Sequence, residues 1–119
     1  MYIYSFEKLE VWKDTRIFVK NVYQLTQRFP AEEKFGIVSQ LRRASVSISS
    51  NIAEGAGRKT AKDQSYFYRI AFSSSLEVLN LFIISSDLGF ITEDNLINIR
   101  REIEKISNKL NALVKRINA

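Results

Sequence analysis

Between positions 96 and 117 the large aliphatic residues fall at Leu96, Ile99, Ile103, Ile106, Leu110, Leu113 and Ile117, alternately three and four apart without a fault. That alternation averages close to the α-helical repeat, so the seven side chains form one seam along a helix, whereas a strand, with its period of two, would scatter them. Such a seam predicts near-parallel, left-handed packing against other helices. With one proline and four glycines in 119 residues, the chain also lacks the frequent turns of an all-β protein. Its length suits one domain, residues 1–119, around one core.

The same periodicity marks three further helices. Val11, Thr15, Phe18, Val22, Leu25 and Phe29 line one face of a helix from about Leu9 to Arg28, widened by Trp12, Val19 and Tyr23. Phe29-Pro30 ends it, and Pro30 suits the first turn of a second helix, with Glu32 and Glu33 at its positive end. That second helix carries Ile37, Leu41, Ala44, Ile48 and Ile52 and is expected to run until Gly55 and Gly57 break it. Thr60 with Asp63 resembles a capping box opening a long third helix to about Leu88. Gly89 closes it, and Thr92 caps the fourth.

The third helix has two apolar stripes side by side, one through Phe67, Ala71, Ser74, Val78, Leu81, Ser85 and Leu88, the other through Tyr68, Phe72, Ser75, Leu79, Phe82 and Ser86. A helix apolar over so wide an arc is covered on more than one side. Short connections then make an up-down-up-down four-helix bundle the simplest architecture. The second stripe, with Trp12, Tyr66 and Phe90, implies more apolar surface than one small bundle hides, and hence a homo-oligomer. Ser45, Ser47, Ser49, Ser50 and Ser73 to Ser75 fit close helix approach, bonding back to their own backbones.

The chemistry open to the chain is narrow. It has no cysteine, which removes disulfides, thiolate metal sites and thiol nucleophiles and fits a reducing cytoplasm. It has no histidine either, the commonest general base and metal ligand at neutral pH. No catalytic, metal-ligating or cofactor-binding set emerges, and an enzyme is not expected. The N-terminal residues lack the apolar core of a secretory signal. The apolar stretch from Ile70 to Ile91 is interrupted by Glu77 and Asp87, well short of the ~20 residues that span a bilayer, so no membrane partner is expected.

Charge points to where a function lies. Residues 42–69 hold six bases (Arg42, Arg43, Arg58, Lys59, Lys62, Arg69) against two acids (Glu54, Asp63), a net of +4 out of +5 for the whole chain. A localised positive field attracts polyanions. Arg42 and Arg43 point about 100° apart on a helix, so one reading pairs either of them with Glu54 or Glu77, across the bundle or between subunits, and the other has them on phosphates. Glu54 and Glu77 stand among small and apolar residues, where a carboxylate needs a basic partner, which makes them candidates for structural ion pairs. Gly55, Gly57, Arg58, Lys59 and Thr60 resemble the end of a nucleotide-binding loop, yet no strand precedes them and the residue order is broken. The turn can still hold a single backbone phosphate, or be a plain turn with solvated bases. The bases of the fourth helix, Arg100, Arg101, Lys105, Lys109, Lys115 and Arg116, interleave with Glu102 and Glu104 as a solvated, salt-bridged outer face.

These residues together resemble the 23S rRNA intervening-sequence protein family. The resemblance rests on Phe6, Leu9, Val11 and Trp12, on Phe29-Pro30 with Glu33 and Phe35-Gly36, and on Gln40-Leu41-Arg42-Arg43-Ala44 with Ser47-Ile48. It continues through Asn51-Ile52-Ala53-Glu54-Gly55 with Arg58, and through Phe67, Ala71, Ser74, Glu77 and Leu88-Gly89. It implies a small bacterial cytoplasmic protein, a four-helix bundle assembled into a homopentameric ring, with no enzymatic activity and no catalytic residue to carry over. A similar branch, the accessory proteins of diversity-generating retroelements, implies binding to nucleic acid and to a protein partner, a reverse transcriptase. The expectation is an oligomeric protein that binds RNA or DNA phosphates through residues 42–69. The alternative is a protein-interaction scaffold whose basic loop meets an acidic partner.

Overall fold

A computed structural model describes residues 1–119, the whole chain. It is all-α: α1 (Glu10–Thr26), α2 (Ile37–Ala56), α3 (Ala61–Asp87) and α4 (Glu93–Ile117), with short 3-10 turns at Ser5–Lys8 and Ala31–Glu33. Cross-helix contacts set the directions. Arg42 meets Thr26, Ser47 meets Ser74, Ser75 meets Ser107, and Lys109 meets Glu10 while Glu102 meets Asn21, so every neighbouring pair runs antiparallel. Each helix packs on its neighbours in sequence, α4 returns to α1, and the backbones of the diagonal pairs do not approach closely. The result is an up-down-up-down bundle.

The core is the set of stripes read from the sequence. Val11, Thr15, Phe18 and Val22 of α1, Leu41, Ala44, Ile48 and Ile52 of α2, and Ile99, Ile103, Ile106, Leu110 and Leu113 of α4 are all buried. Thr60 Oγ1 accepts from the Asp63 amide at 3.1 Å, and Thr92 and Asn95 cap α4 reciprocally. Gly89 takes φ +79°, the left-handed geometry that ends α3 without the strain a Cβ brings.

Three expectations are corrected. Pro30 opens a 3-10 turn rather than α2, which starts only at Ile37 after Gly36. Glu32 and Glu33 therefore sit on the connection and not in the first turn of an α-helix. Gly55 is no break: it lies inside α2, buried, where an added Cβ would stand 2.8 Å from Tyr68 Cε1 and 3.1 Å from Phe67 Cβ. Its missing side chain lets α2 and α3 approach closely, and Gly57 is the residue that ends the helix. Finally, the second stripe of α3 is used within the chain. Tyr68, Ser75 and Phe82 are buried, Ser75 Oγ lies 3.5 Å from Ser107 Oγ on α4, Trp12 packs edge-on to Phe6, and Phe90 packs on Phe29. Of the residues that suggested surplus apolar surface, Tyr66 is exposed, and Leu76 and Ile84 on α3 join it.

The serines behave as small helix-packing residues. Ser45, Ser49, Ser75 and Ser85 donate to carbonyls three or four residues back, and Ser47 and Ser74 share a hydrogen bond of 3.0 Å between α2 and α3. No buried side-chain nitrogen or oxygen lacks a partner. By length and composition α3 is apolar enough to cross a bilayer, but Tyr68, Ala71, Val78, Leu81 and Phe82 are buried where it packs on α2 and α4, and its outer face carries Lys62, Arg69, Glu77 and Asn80 beside the exposed Tyr66, Leu76 and Ile84.

Candidate nucleic-acid interface

The six bases of residues 42–69 do not form one surface. Arg42 is half-buried and committed to the end of α1. Its Nε donates to Thr26 Oγ1 at 3.0 Å, its Nη2 reaches the Tyr23 carbonyl at 3.4 Å, and its guanidinium lies 4.5 Å over the Tyr23 ring. It thereby meets a carbonyl at the negative end of the helix dipole. Arg43, one residue on, is exposed and shares the groove between α2 and α3 with Gln40, Ser47 and Glu77, without an ion pair. Arg58 lies 15 positions further along, about 22 Å at the helical rise, so Arg43 stands about midway along a bundle 43 Å long.

Arg58, Lys59, Lys62 and Arg69 do come together, around the α2–α3 turn and the first turns of α3. Arg58 has its guanidinium 4.5 Å over the Phe67 ring and 3.7 Å from Glu54 Oε1, and its carbonyl accepts from Gln64 Nε2 at 3.0 Å, which holds the turn. Lys59, Lys62 and Arg69 are exposed and form no ion pair. Lys62 and Arg69, seven residues apart, project from the same outward face of α3.

Glu54 and Glu77 are both exposed, against the expectation of carboxylates held among apolar residues. Glu54 is 60% exposed and pairs only with Arg58, four positions on, while Glu77 makes no ion pair. Facing water, neither needs a basic partner to be tolerated, and the Glu54 pair is of the surface kind that contributes little.

The bundle adds bases that are distant in sequence. Ser5 Oγ reaches the Ala56 carbonyl at 3.4 Å, Ser65 reaches Asn118 Oδ1 at 3.3 Å, and Lys109 reaches Glu10, so the N-terminal segment and the end of α4 flank the α2–α3 turn. Residues 1–18, 47–74 and 105–119, which make up this half, contain eleven bases and five acids; the remainder contains seven bases and eight acids. The entire net positive charge of the chain thus resides in one half of the bundle. Lys8, Lys115 and Arg116, silent in a segment-by-segment count, belong to it.

Sequence reasoning missed the ion pairs between α1 and α4. Lys109 Nζ donates to Asp14 Oδ2 at 2.6 Å and to Glu10 Oε1 at 2.8 Å, and Lys105 lies 3.4 Å from Asp14. Hydrogen bonds to Asp14 and then Glu10 raise the Lys109 pKa above its ordinary value. Glu102 accepts from Asn21 Nδ2 at 2.8 Å, and its pKa is raised by burial, with Asn21 and Lys105 pulling the other way. These charges therefore stitch α4 to α1 instead of pairing along one solvated helix face. The Tyr68 hydroxyl is likewise pushed up by burial, against the field of Arg116. No three metal-ligating side chains converge.

Fold and charge define a small antiparallel four-helix bundle with one basic half. The sequence profile described as 23S rRNA-intervening sequence protein matches residues 7–112, and the chain belongs to that family. A crystal structure of a protein of unknown function from the S23 ribosomal protein family of Bacteroides thetaiotaomicron superposes with a TM-score of 0.81. The superposition covers 88% of this chain and 98% of that one at 22% identity, a likeness of fold. No curated protein matches.

Proposed function

We propose that the protein is a non-enzymatic, oligomeric nucleic-acid-binding protein of the bacterial cytoplasm, contacting phosphates of RNA or DNA with its basic half. The observation that carries this reading is the residence of the whole net charge in that half, around the α2–α3 turn. Arg58, Lys59, Lys62 and Arg69 supply the central contacts, without strong sequence preference, since charge on phosphates carries no base information. Arg42 drops out because it serves α1, and Arg43 reaches phosphates only on a ligand long enough to extend along α2. A homopentameric ring, as the family resemblance implies, repeats the basic half around an axis and turns weak contacts into avidity.

The competing reading is a protein-interaction scaffold, favoured by exposed Leu76 and Ile84 on α3. The decisive experiment is equilibrium binding to structured RNA and duplex DNA across a salt series, beside the molar mass in solution. Phosphate binding gives a log–log salt slope of about 0.9 per duplex phosphate contacted, reduced by the Lys59→Glu, Lys62→Glu double variant. Absence of binding at low salt, or binding untouched by that variant, transfers the role to the scaffold. A mass other than five times that of the chain rejects the pentamer.

A further inference from the structure

The outward face of α3 carries more than bases. Tyr66 lies four residues after Lys62 and three before Arg69, so the three side chains follow one another along a single helix face. Tyr66 is 60% exposed, a large aromatic residue left in water between two cations that form no ion pair. Beneath it the ring of Phe67 packs edge-on at 5.3 Å, and Phe67 in turn carries the Arg58 guanidinium at 4.5 Å. Tyr66 thus packs on one side against a neighbour that itself carries Arg58. Two adjacent aromatics and four bases occupy the first turns of one helix and the turn that precedes it.

Charge alone does not discriminate between a duplex and a single strand, because both present phosphates. An exposed ring does. In a duplex the faces of the bases are stacked on one another, and an aromatic on the convex side of a helix finds none free. In a single strand every base has an open π-face, and stacking on a tyrosine needs no particular sequence. Alternation of cation, ring and cation along α3 matches a backbone whose phosphates alternate with such bases.

We propose that the ligand of the basic half is single-stranded nucleic acid, with one base stacked on Tyr66 and the flanking phosphates held by Lys62 and Arg69. Arg58 neutralises a further phosphate from its seat on Phe67. This inference rests on the nucleic-acid reading above and narrows it to one ligand class; ribose and deoxyribose strands share the recognised chemistry.

The test measures binding of the full-length protein to labelled oligo(U), oligo(dT) and a mixed-sequence duplex, each about 16 nucleotides long, the upper end of a compact single-strand site. Wild type is expected to prefer a single strand to the duplex at equal salt, and oligo(U) against oligo(dT) tells whether the strand is RNA or DNA. Tyr66→Ala is expected to lower single-strand affinity about tenfold or more with duplex affinity unchanged, and Tyr66→Phe to keep both. The residue is exposed, so a thermal melt of Tyr66→Ala should overlay wild type; should it not, Tyr66→Ser and quenching of tyrosine fluorescence by the strand in wild type provide the second readout. Duplex binding as tight as single-strand binding, or a Tyr66→Ala variant indistinguishable from wild type, overturns the single-strand assignment and leaves the phosphate-binding reading standing. No binding of wild type to any of the three probes at low salt overturns both.

Discussion

Lys109 of α4 donates to Asp14 of α1 at 2.6 Å, joining the first and last helices at the side of the bundle where their packing is thinnest. Asp14 is only 15% exposed, so it is poorly served by water and depends on Lys109 and on Lys105 at 3.4 Å.

A double-mutant cycle with Lys109→Met and Asp14→Asn should give a coupling of about 1 kcal/mol, the upper end for exposed pairs, because Glu10 and Lys105 extend the pair into a network. The folded Lys109 pKa lies above its ordinary value of 10.5. A raised pKa means that the contribution is complete below the unfolded value and is lost as pH rises through the folded one. Urea titrations of wild type and Lys109→Met should therefore converge in the alkaline range above about pH 10. Tyr68, whose pKa burial raises, ionises more readily in the unfolded chain and lowers stability over the same range in both proteins, which cancels in the difference.

Glu102 makes the opposite case. Burial raises its pKa, so the folded state holds its proton more firmly than the unfolded chain, and wild type loses stability as pH rises from 4.5 through the folded value. Glu102→Gln keeps an acceptor for Asn21 Nδ2 and has no charge to desolvate. It should match or exceed wild type in stability at pH 7 and lose any advantage below pH 4.5, where Glu102 is itself neutral, as read by chemical denaturation at the two pH values. A variant weaker at pH 7 would mean that the attraction of Lys105 outweighs desolvation.

Gly55→Ala places a methyl group against the buried Tyr68 ring and Phe67 Cβ. Neither is the free end of a flexible chain, so α2 and α3 must move apart, at about 1–3 kcal/mol. Helix propensity favours alanine by ~1 kcal/mol, and the steric term is expected to win. Equilibrium unfolding reads the sign directly.

Arg42→Ala should cost about 1–2 kcal/mol of stability through loss of the bonds to Thr26 and Tyr23. Arg42→Lys recovers little, since an ammonium cannot both bond Thr26 and lie flat over the Tyr23 ring. Affinity for nucleic acid should change far less than in Lys59→Glu. Equal losses of affinity would place Arg42 on the ligand.

Secondary structure, core faces and bundle class are all legible in the residues, because helical periodicity is a local property: a three-and-four alternation such as Ile99, Ile103, Ile106 buries one face whatever covers it. Caps at Thr60 and Thr92 and the turn at Gly89 are local too, set by side chains within three residues or by one φ angle. The concentration of bases near the α2–α3 turn is likewise visible in the chain itself.

What each of those charged groups does was decided only by tertiary structure. Arg42 and Arg43 are identical neighbours in sequence, yet rotation of about 100° per residue turns one onto the end of α1 and leaves the other in water. Glu54 and Glu77 neighbour small residues along the chain but face solvent in space, and Lys109 finds its partners nearly a hundred positions away. Gly55 reads as a helix end until Tyr68 of the next helix lies against it. Periodicity states which face of a helix is buried; it is silent on which helix lies opposite and at what register, and electrostatics and close packing depend on distances across that gap.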